Sequence, residues 1–347
     1  MKIFHHTDSF SLESGAVLPG YHLAYTTHGC LNPAGDNVIW IFHALTANSD
    51  PAEWWPGLVG RGRLFDPSRH FIVCVNMPGS CYGSIGPLEP VPGNGRPYYH
   101  TFPFFTPRDM IRAYQPLQKF LGIRKIHIGI GGSMGGQQLL EWAIEEPELF
   151  DTIVPIATNG QHSSWGIAWN TAQRMAIEAD PSFREERADG GLAGMRAARA
   201  MALLSYRQYD AYKLLQPRLE NFLKENSPGE VSAASYQRYQ GEKLVRRFNA
   251  FSYYSLSLSM DSHDLGRGRG GLEAALKKIR SKALVVGIGT DILFPVSEQQ
   301  LLASLIPGAA YRQISSLYGH DGFLLEFVQI ETLIQELLEE YLQTVDN

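Results

Sequence analysis

The segment Gly131-Gly132-Ser133-Met134-Gly135-Gly136 holds a serine inside a Gly-x-Ser-x-Gly pentapeptide. A serine hydroxyl is a weak nucleophile until a base takes its proton, so a serine singled out in this way implies covalent catalysis with a histidine base and an acid that orients it. The setting suits that chemistry. Residues 125–130 form an apolar run that reads as a buried strand, and residues 137–143 read as the start of a helix. A strand, a tight turn and a helix lift the hydroxyl above the sheet edge, at the positive end of the helix. Glycine is needed beside the serine because so tight a turn leaves almost no room for side chains.

In this arrangement the acid and the base follow the serine in the order Asp or Glu, then His. Asp291 lies in Gly289-Thr290-Asp291-Ile292-Leu293-Phe294-Pro295, just after an apolar run at 283–288. His320 lies in Tyr318-Gly319-His320-Asp321-Gly322, just after a strand-like run at 311–314. Loops at the carboxyl ends of parallel strands are where such sheets place their chemistry. His127 falls inside a strand, His162 and His263 fall in a helical block, and Asp261 and Asp264 precede the last strands. Ser133, Asp291 and His320 are therefore the expected triad. The oxyanion of an acyl-transfer intermediate needs two backbone donors. The amide of Met134, directly after the serine, is one candidate. The amide of Leu45, in the loop His43-Ala44-Leu45-Thr46 after an early strand, is the other.

The elements that must carry these groups alternate. Strands are predicted at 38–43, 71–76, 125–130 and 152–157, with a helix over 107–121, which implies a mostly parallel sheet covered on both faces. Residues 161–271 are helical in character, with helices predicted over 195–215 and 232–260. Strand signals return at 283–288 and 311–314, and a final helix is expected over 331–342. The simplest organisation is one α/β domain, residues 1–160 and 272–347, carrying a helical lid at 161–271. Gly266-Arg267-Gly268-Arg269-Gly270-Gly271 reads as a mobile return from that lid.

The 347 residues are 44% hydrophobic and 19% charged, with a net charge of −5, so nothing calls for a nucleic-acid partner or an anionic membrane surface. No apolar run approaches the roughly 18 residues of a membrane helix, and the N-terminus lacks the apolar core of a signal peptide. Three cysteines make no disulfide framework and stand at no metal-ligand spacing. The expectation is a cytoplasmic protein with neither metal nor bound cofactor.

Longer stretches extend this reading. "HALTANSD", "WWPGLVGRGRLFD", "FIVCVNMPGSCYGSIGP", "GGSMGGQQLLEWA", "WGIAWNTAQRMAI", "SYQRYQGEKLVRRFNAFSYYSLSLSMDSHDL" and "YGHDGFLLEF" together resemble the homoserine O-acetyltransferase (MetX-type) branch of the α/β-hydrolase superfamily, from about residue 10 to residue 330. The resemblance implies the α/β-hydrolase fold, with Ser133 as nucleophile, Asp291 as orienter and His320 as base. It implies an acceptor site in which Arg199 binds an amino-acid carboxylate, Asp321 its ammonium, and Thr46 and Tyr206 line the walls. It implies acetyl-CoA and L-homoserine as substrates in a ping-pong reaction of methionine biosynthesis, and a homodimer joined through the lids. The chain departs from the family pattern at Ala47 and at Met77-Pro78-Gly79-Ser80. These departures leave succinyl-CoA or L-serine as alternative substrates, and an ester or thioester hydrolase remains the further alternative, because the acyl-enzyme is common to both reactions.

Overall fold

The computed structural model describes residues 1–216 and 232–345. An eight-stranded sheet forms its centre, built from β1 (Lys2–His6), β2 (Tyr21–His28), β3 (Val38–Phe42), β4 (Phe71–Val75), β5 (Ile126–Gly132), β6 (Phe150–Ile156), β7 (Lys282–Ile288) and β8 (Ala310–Ile314). Their order across the sheet is β1-β2-β4-β3-β5-β6-β7-β8. The pairs β1–β2 and β2–β4 are antiparallel, and every later pair is parallel.

Strands β3 and β4 are apolar at every position because both faces of the sheet are covered there. Alternation then divides each strand between two cores. Val38, Trp40 and Phe42 face one, with Phe71, Val73 and Val75 of the neighbouring strand. Ile39, Ile41, Ile72 and Cys74 face the other. Helices α1 (Pro107–Phe120) and α2 (Met134–Glu145) cover the first face, and α9 (Phe327–Val345) covers the second through Ile330 and Ile334. Thr106 starts α1 with a capping box, its hydroxyl bonded to the Asp109 backbone N–H while the Asp109 carboxylate accepts from the Thr106 N–H.

Between β6 and β7 the chain forms α3 (Ser164–Glu178), α4 (Leu192–Tyr206), α5 (Tyr209–Leu215), α6 (Ser232–Val245) and α7 (Ala250–Asp261); α8 (Val296–Leu305) follows β7. This helical segment, the lid, leaves and returns at one place. Leu265 N–H donates to Gly160 C=O, and His162 N–H donates to His263 C=O.

Several expectations need correction. Strands β1 and β2 have polar residues scattered among apolar ones and lie toward the antiparallel edge, so no continuous apolar run marks them. The strand expected at 125–130 runs on through Gly131 and Gly132, which still pair with Pro155 and Ile156. The helix expected over 195–215 breaks at Arg207, whose backbone is extended (φ −111°, ψ 156°). The helix expected over 232–260 breaks before Asn249, whose side chain caps α7 at the Ser252 N–H. The final helix starts at Phe327 rather than at residue 331. The return from the lid is tethered rather than loose, because Arg267 ion-pairs with Glu13, and Arg269 with Glu141 and Glu145.

Candidate active site

Ser133 sits where β5 turns into α2. Its backbone (φ 55°, ψ −126°) lies in a region that non-glycine residues rarely occupy. The surroundings hold it there: Ser133 N–H donates to Ile156 C=O, and Ser133 C=O accepts from the Thr158 hydroxyl at 2.8 Å. Crowding explains the glycines. A Cβ on Gly131 would lie 2.6 Å from the Gly135 backbone, and one on Gly135 would lie 2.2 Å from the Phe42 carbonyl oxygen. Such a strained backbone persists only where the fold over-determines it.

Asp291 follows β7. Its Oδ2 lies 2.6 Å from His320 Nδ1, while its Oδ1 accepts the N–H groups of Leu293 and Phe294 at 2.8 and 2.9 Å. Both carboxylate oxygens are thus committed, so the acid cannot swing away. His320 is buried in a short turn, Gly319–Asp321, among the rings of Phe294, Tyr206 and Phe323. Burial alone would push its pKa down. The charge and hydrogen bond of Asp291, with the charge of Asp321, outweigh burial and raise the pKa above the ordinary histidine value. With Nδ1 donating to Asp291, Nε2 is left as the ring's free base.

The two amides expected at the oxyanion site are available. Met134 is the first residue of α2, so its N–H has no partner within the helix. Among the described residues nothing accepts from Leu45 N–H. The loop that carries Leu45 is held from below by His43. The Ala44 carbonyl can only accept, so His43 Nδ1 donates to it at 2.8 Å, and Nε2 then accepts the Met77 N–H at 3.1 Å. Burial lowers the His43 pKa to about 4, so this clamp stays neutral at physiological pH. The two stretches that depart from the family pattern meet here: Ala47 N–H closes the loop onto Ala44 C=O, and Met77 supplies the donor to His43.

Ser133, His320, Leu45, Thr46, Arg199, Tyr206 and Asp321 line one cavity of about 600 Å³. Among the described residues no cluster of His, Cys, Asp or Glu could hold a metal ion, and no helix is long and apolar enough to cross a membrane.

Residues 37–327 match the model of the α/β hydrolase fold. A homoserine O-acetyltransferase of Cyclobacterium marinum is 46% identical over 339 residues, covering 98% of this chain and 95% of its own length. The chain belongs to the homoserine O-acetyltransferase family of α/β-hydrolases. Two crystal structures extend the likeness of fold. A homoserine O-acetyltransferase from Bacillus anthracis superposes with a TM-score of 0.89 at 24% identity, with 96% of each chain covered. An acetylester hydrolase from Corynebacterium glutamicum superposes with a TM-score of 0.83, also at 24% identity, covering 97% of this chain and 96% of its own. One fold therefore hosts both an acetyltransferase and a hydrolase, so the fold alone does not choose between the two chemistries, and in this chain Arg199, Tyr206 and Asp321 form the polar end of the cavity.

At that end the structure adds residues that sequence reasoning missed. Asp321 is not a lone carboxylate, since its Oδ2 lies 2.5 Å from Arg207 Nη1. The Arg199 guanidinium lies over the Tyr206 ring, 5.3 Å from its centroid. Burial raises the Tyr206 pKa and outweighs the opposing charge of Arg199, so the hydroxyl stays protonated. A second lid arginine, Arg247, donates from Nη1 to the Thr46 carbonyl and to the Tyr82 hydroxyl, each at 2.5 Å. A lid tryptophan, Trp165, donates from Nε1 to Ile292 C=O at 2.7 Å. The lid thus touches the oxyanion loop, the loop of the acid and the loop of the base. Arg207 had one sequence signal, its place directly after Tyr206; Arg247 and Trp165 had only their places in two of the family-like stretches, which gave them no role.

Proposed function

We propose that this chain transfers the acetyl group of acetyl-CoA to the hydroxyl of L-homoserine through an acetyl-serine intermediate, a step of methionine biosynthesis. The observation that carries the reading is the shared cavity: a nucleophilic serine with its buried base opens onto a guanidinium, Arg199, and a carboxylate, Asp321. A zwitterion entering a largely dry site needs both charges met, and a simple ester needs neither. The names of the relatives agree with this choice of acceptor.

In the first half-reaction His320 Nε2 takes the Ser133 proton, and Oγ attacks the thioester carbonyl. The Leu45 and Met134 amides hold the developing oxyanion. The tetrahedral intermediate collapses with loss of the CoA thiolate, which takes the proton from His320. In the second half-reaction the homoserine hydroxyl, positioned by Arg199 and Asp321, gives its proton to His320 and attacks the acetyl-serine; the tetrahedral intermediate then expels Ser133 Oγ, which recovers the proton from His320, and O-acetylhomoserine leaves. Thr46 and Tyr206 line the acceptor's site. The Arg207–Asp321 pair lets the substrate ammonium join a carboxylate already fixed in direction. Water must lose this competition. Positioning is worth an effective molarity of roughly 10⁵ M or more, far above that of bulk water.

The reaction needs no metal or bound cofactor, and we place it in the cytoplasm. Exposed Leu204, Tyr209, Leu214 and Tyr239 give the described part of the lid an apolar surface suited to a homodimer joined there; sedimentation as a monomer at micromolar concentration would remove that part of the proposal. The activity is tested by CoA release from acetyl-CoA with and without L-homoserine, for wild type and Ser133→Ala, with succinyl-CoA and L-serine run in parallel. Homoserine-dependent release that vanishes in the variant is the expected result. Release indifferent to the amino acid would make the chain a thioesterase.

A further inference from the structure

The cavity that Ser133 lines meets solvent beside two lid cations, Lys243 at the end of α6 and Arg247 just beyond it, both exposed and both part of the cavity wall. Among the described residues no carboxylate lies within ion-pair distance of either. Glu242, next to Lys243 in the chain, is taken up by Arg196 at 3.0 Å and Arg246 at 3.6 Å. Of the carboxylates lining the cavity, Asp321 is paired with Arg207, and Glu53 accepts from Asn48 Nδ2 at 3.1 Å. Among the described residues the rim therefore carries an uncancelled positive charge, on a chain whose net charge is −5. A polyanion would meet an unfavourable mean field over most of this protein and a favourable one at this rim. Arg247 is also fixed in place. One nitrogen, Nη1, makes both of its bonds to the core, and among the described residues nothing accepts from Nε or Nη2, which can therefore donate to an anion.

We propose that Lys243 and Arg247 form the subsite for the phosphate groups of a coenzyme A thioester, which stay at the rim while the acyl end reaches Ser133. This rests on the acyl-CoA reading above. A solvent-connected space of about 600 Å³ suits an amino-acid acceptor and a slender thioester arm, and leaves the nucleotide end outside. Arg247 then has two tasks, because the carbonyl it grips belongs to Thr46, next to the oxyanion donor Leu45. Phosphate binding would brace the loop that receives the oxyanion.

The test compares two donors that share the acetyl thioester, acetyl-CoA and S-acetyl-N-acetylcysteamine, which has no phosphate. Wild type, Lys243→Ala and Lys243→Glu are assayed with saturating homoserine. For acetyl-CoA, kcat/KM is expected to fall about five-fold in the alanine variant and further in the glutamate variant, through KM, as suits an exposed and partly screened charge. The preference of each variant for acetyl-CoA over the short thioester should fall by the same factor, and added salt should erode the wild-type preference. Arg247→Ala should lower kcat with both donors and raise KM with acetyl-CoA alone, and Arg247→Lys should restore KM better than kcat. Equal losses with both donors in the Lys243 variants, or none, would overturn the subsite while leaving the function intact. A wild type that releases no CoA from acetyl-CoA would overturn the function and the subsite with it.

Discussion

Two glycine-rich hexapeptides, residues 131–136 and 266–271, look alike in composition and behave as opposites. Around Ser133 none of the four glycines has a positive φ; the residue with the unusual backbone is the serine itself. Those glycines are there for space, with a Cβ on Gly132 meeting the Phe323 ring at 2.4 Å and one on Gly136 meeting Thr158 at 2.6 Å. In the return from the lid, Gly268 and Gly271 have φ of +71° and +98° and nothing within 4 Å. At those positions glycine serves backbone shape, although Gly266 is crowded like the first group, with a Cβ 2.6 Å from Leu272 N, and the fixing is done by the arginines between. Arg269 Nη1 lies 2.7 Å from Glu141 and its Nη2 2.6 Å from Glu145, both on α2, while Arg108 of α1 reaches Glu141 at 3.1 Å. The second hexapeptide thus braces the helix that begins at the first. Glycine content alone reports neither flexibility nor crowding; what neighbours do with the space decides.

The largest effect separates the chemistry of the elbow from its shape. Asp291→Asn keeps an oxygen for the Leu293 and Phe294 amides but loses the charge facing His320. A loss of about 10⁴-fold in kcat is expected, with thermal stability little changed. Since His320 must be neutral to act as base, wild-type activity should rise with pH through a pKa above the ordinary histidine value. In the variant burial prevails, so that limb should move to lower pH. A pH–rate profile with the wild-type limb at or below 6.5 would contradict the pairing. Next in size is Arg269→Ala, which leaves fully buried Glu141 with Arg108 alone. A stability loss of roughly 3 kcal/mol is expected in denaturant titration. A loss within experimental error would mean that the return is the loose linker its composition suggests.

How much could be read in the sequence follows the reach of each signal. Strands β3 and β4 were legible because both faces are buried and every residue is apolar. The places of Ser133 and Asp291 were legible because each closely follows an apolar run, and that of His320 because it follows the last strand-like run in a glycine-flanked turn. Strands β1 and β2 were not, because polar residues are scattered along them. The breaks at Arg207 and Asn249 were hidden by helical periodicity on both sides; at Arg207 the pairing with Asp321 outweighs local propensity. His43 and Arg247 were invisible because their partners are remote in sequence. His43 meets Met77, 34 residues on, and Arg247 meets Thr46 across 201 residues.

The smallest effects test the comparison of hexapeptides directly, with the same substitution in each. Gly135→Ala puts a methyl group 2.2 Å from a backbone carbonyl oxygen in β3, which cannot move aside as a flexible side chain would. Destabilisation of about 2 to 3 kcal/mol is expected, together with loss of activity in the folded fraction, because any relief displaces either the elbow or the strand before the oxyanion loop. Gly268→Ala meets open space and bears only the cost of a left-handed backbone for an L-residue, about 1 kcal/mol. Its activity should stay at the wild-type level, since Arg267 and Arg269 still reach Glu13, Glu141 and Glu145. Equal losses from the two alanines would mean that both hexapeptides are limited by the same property. A stability-neutral Gly135→Ala would mean that Phe42 and the elbow can part by more than an ångström, and then the strain at Ser133 is not imposed by the packing of its neighbours.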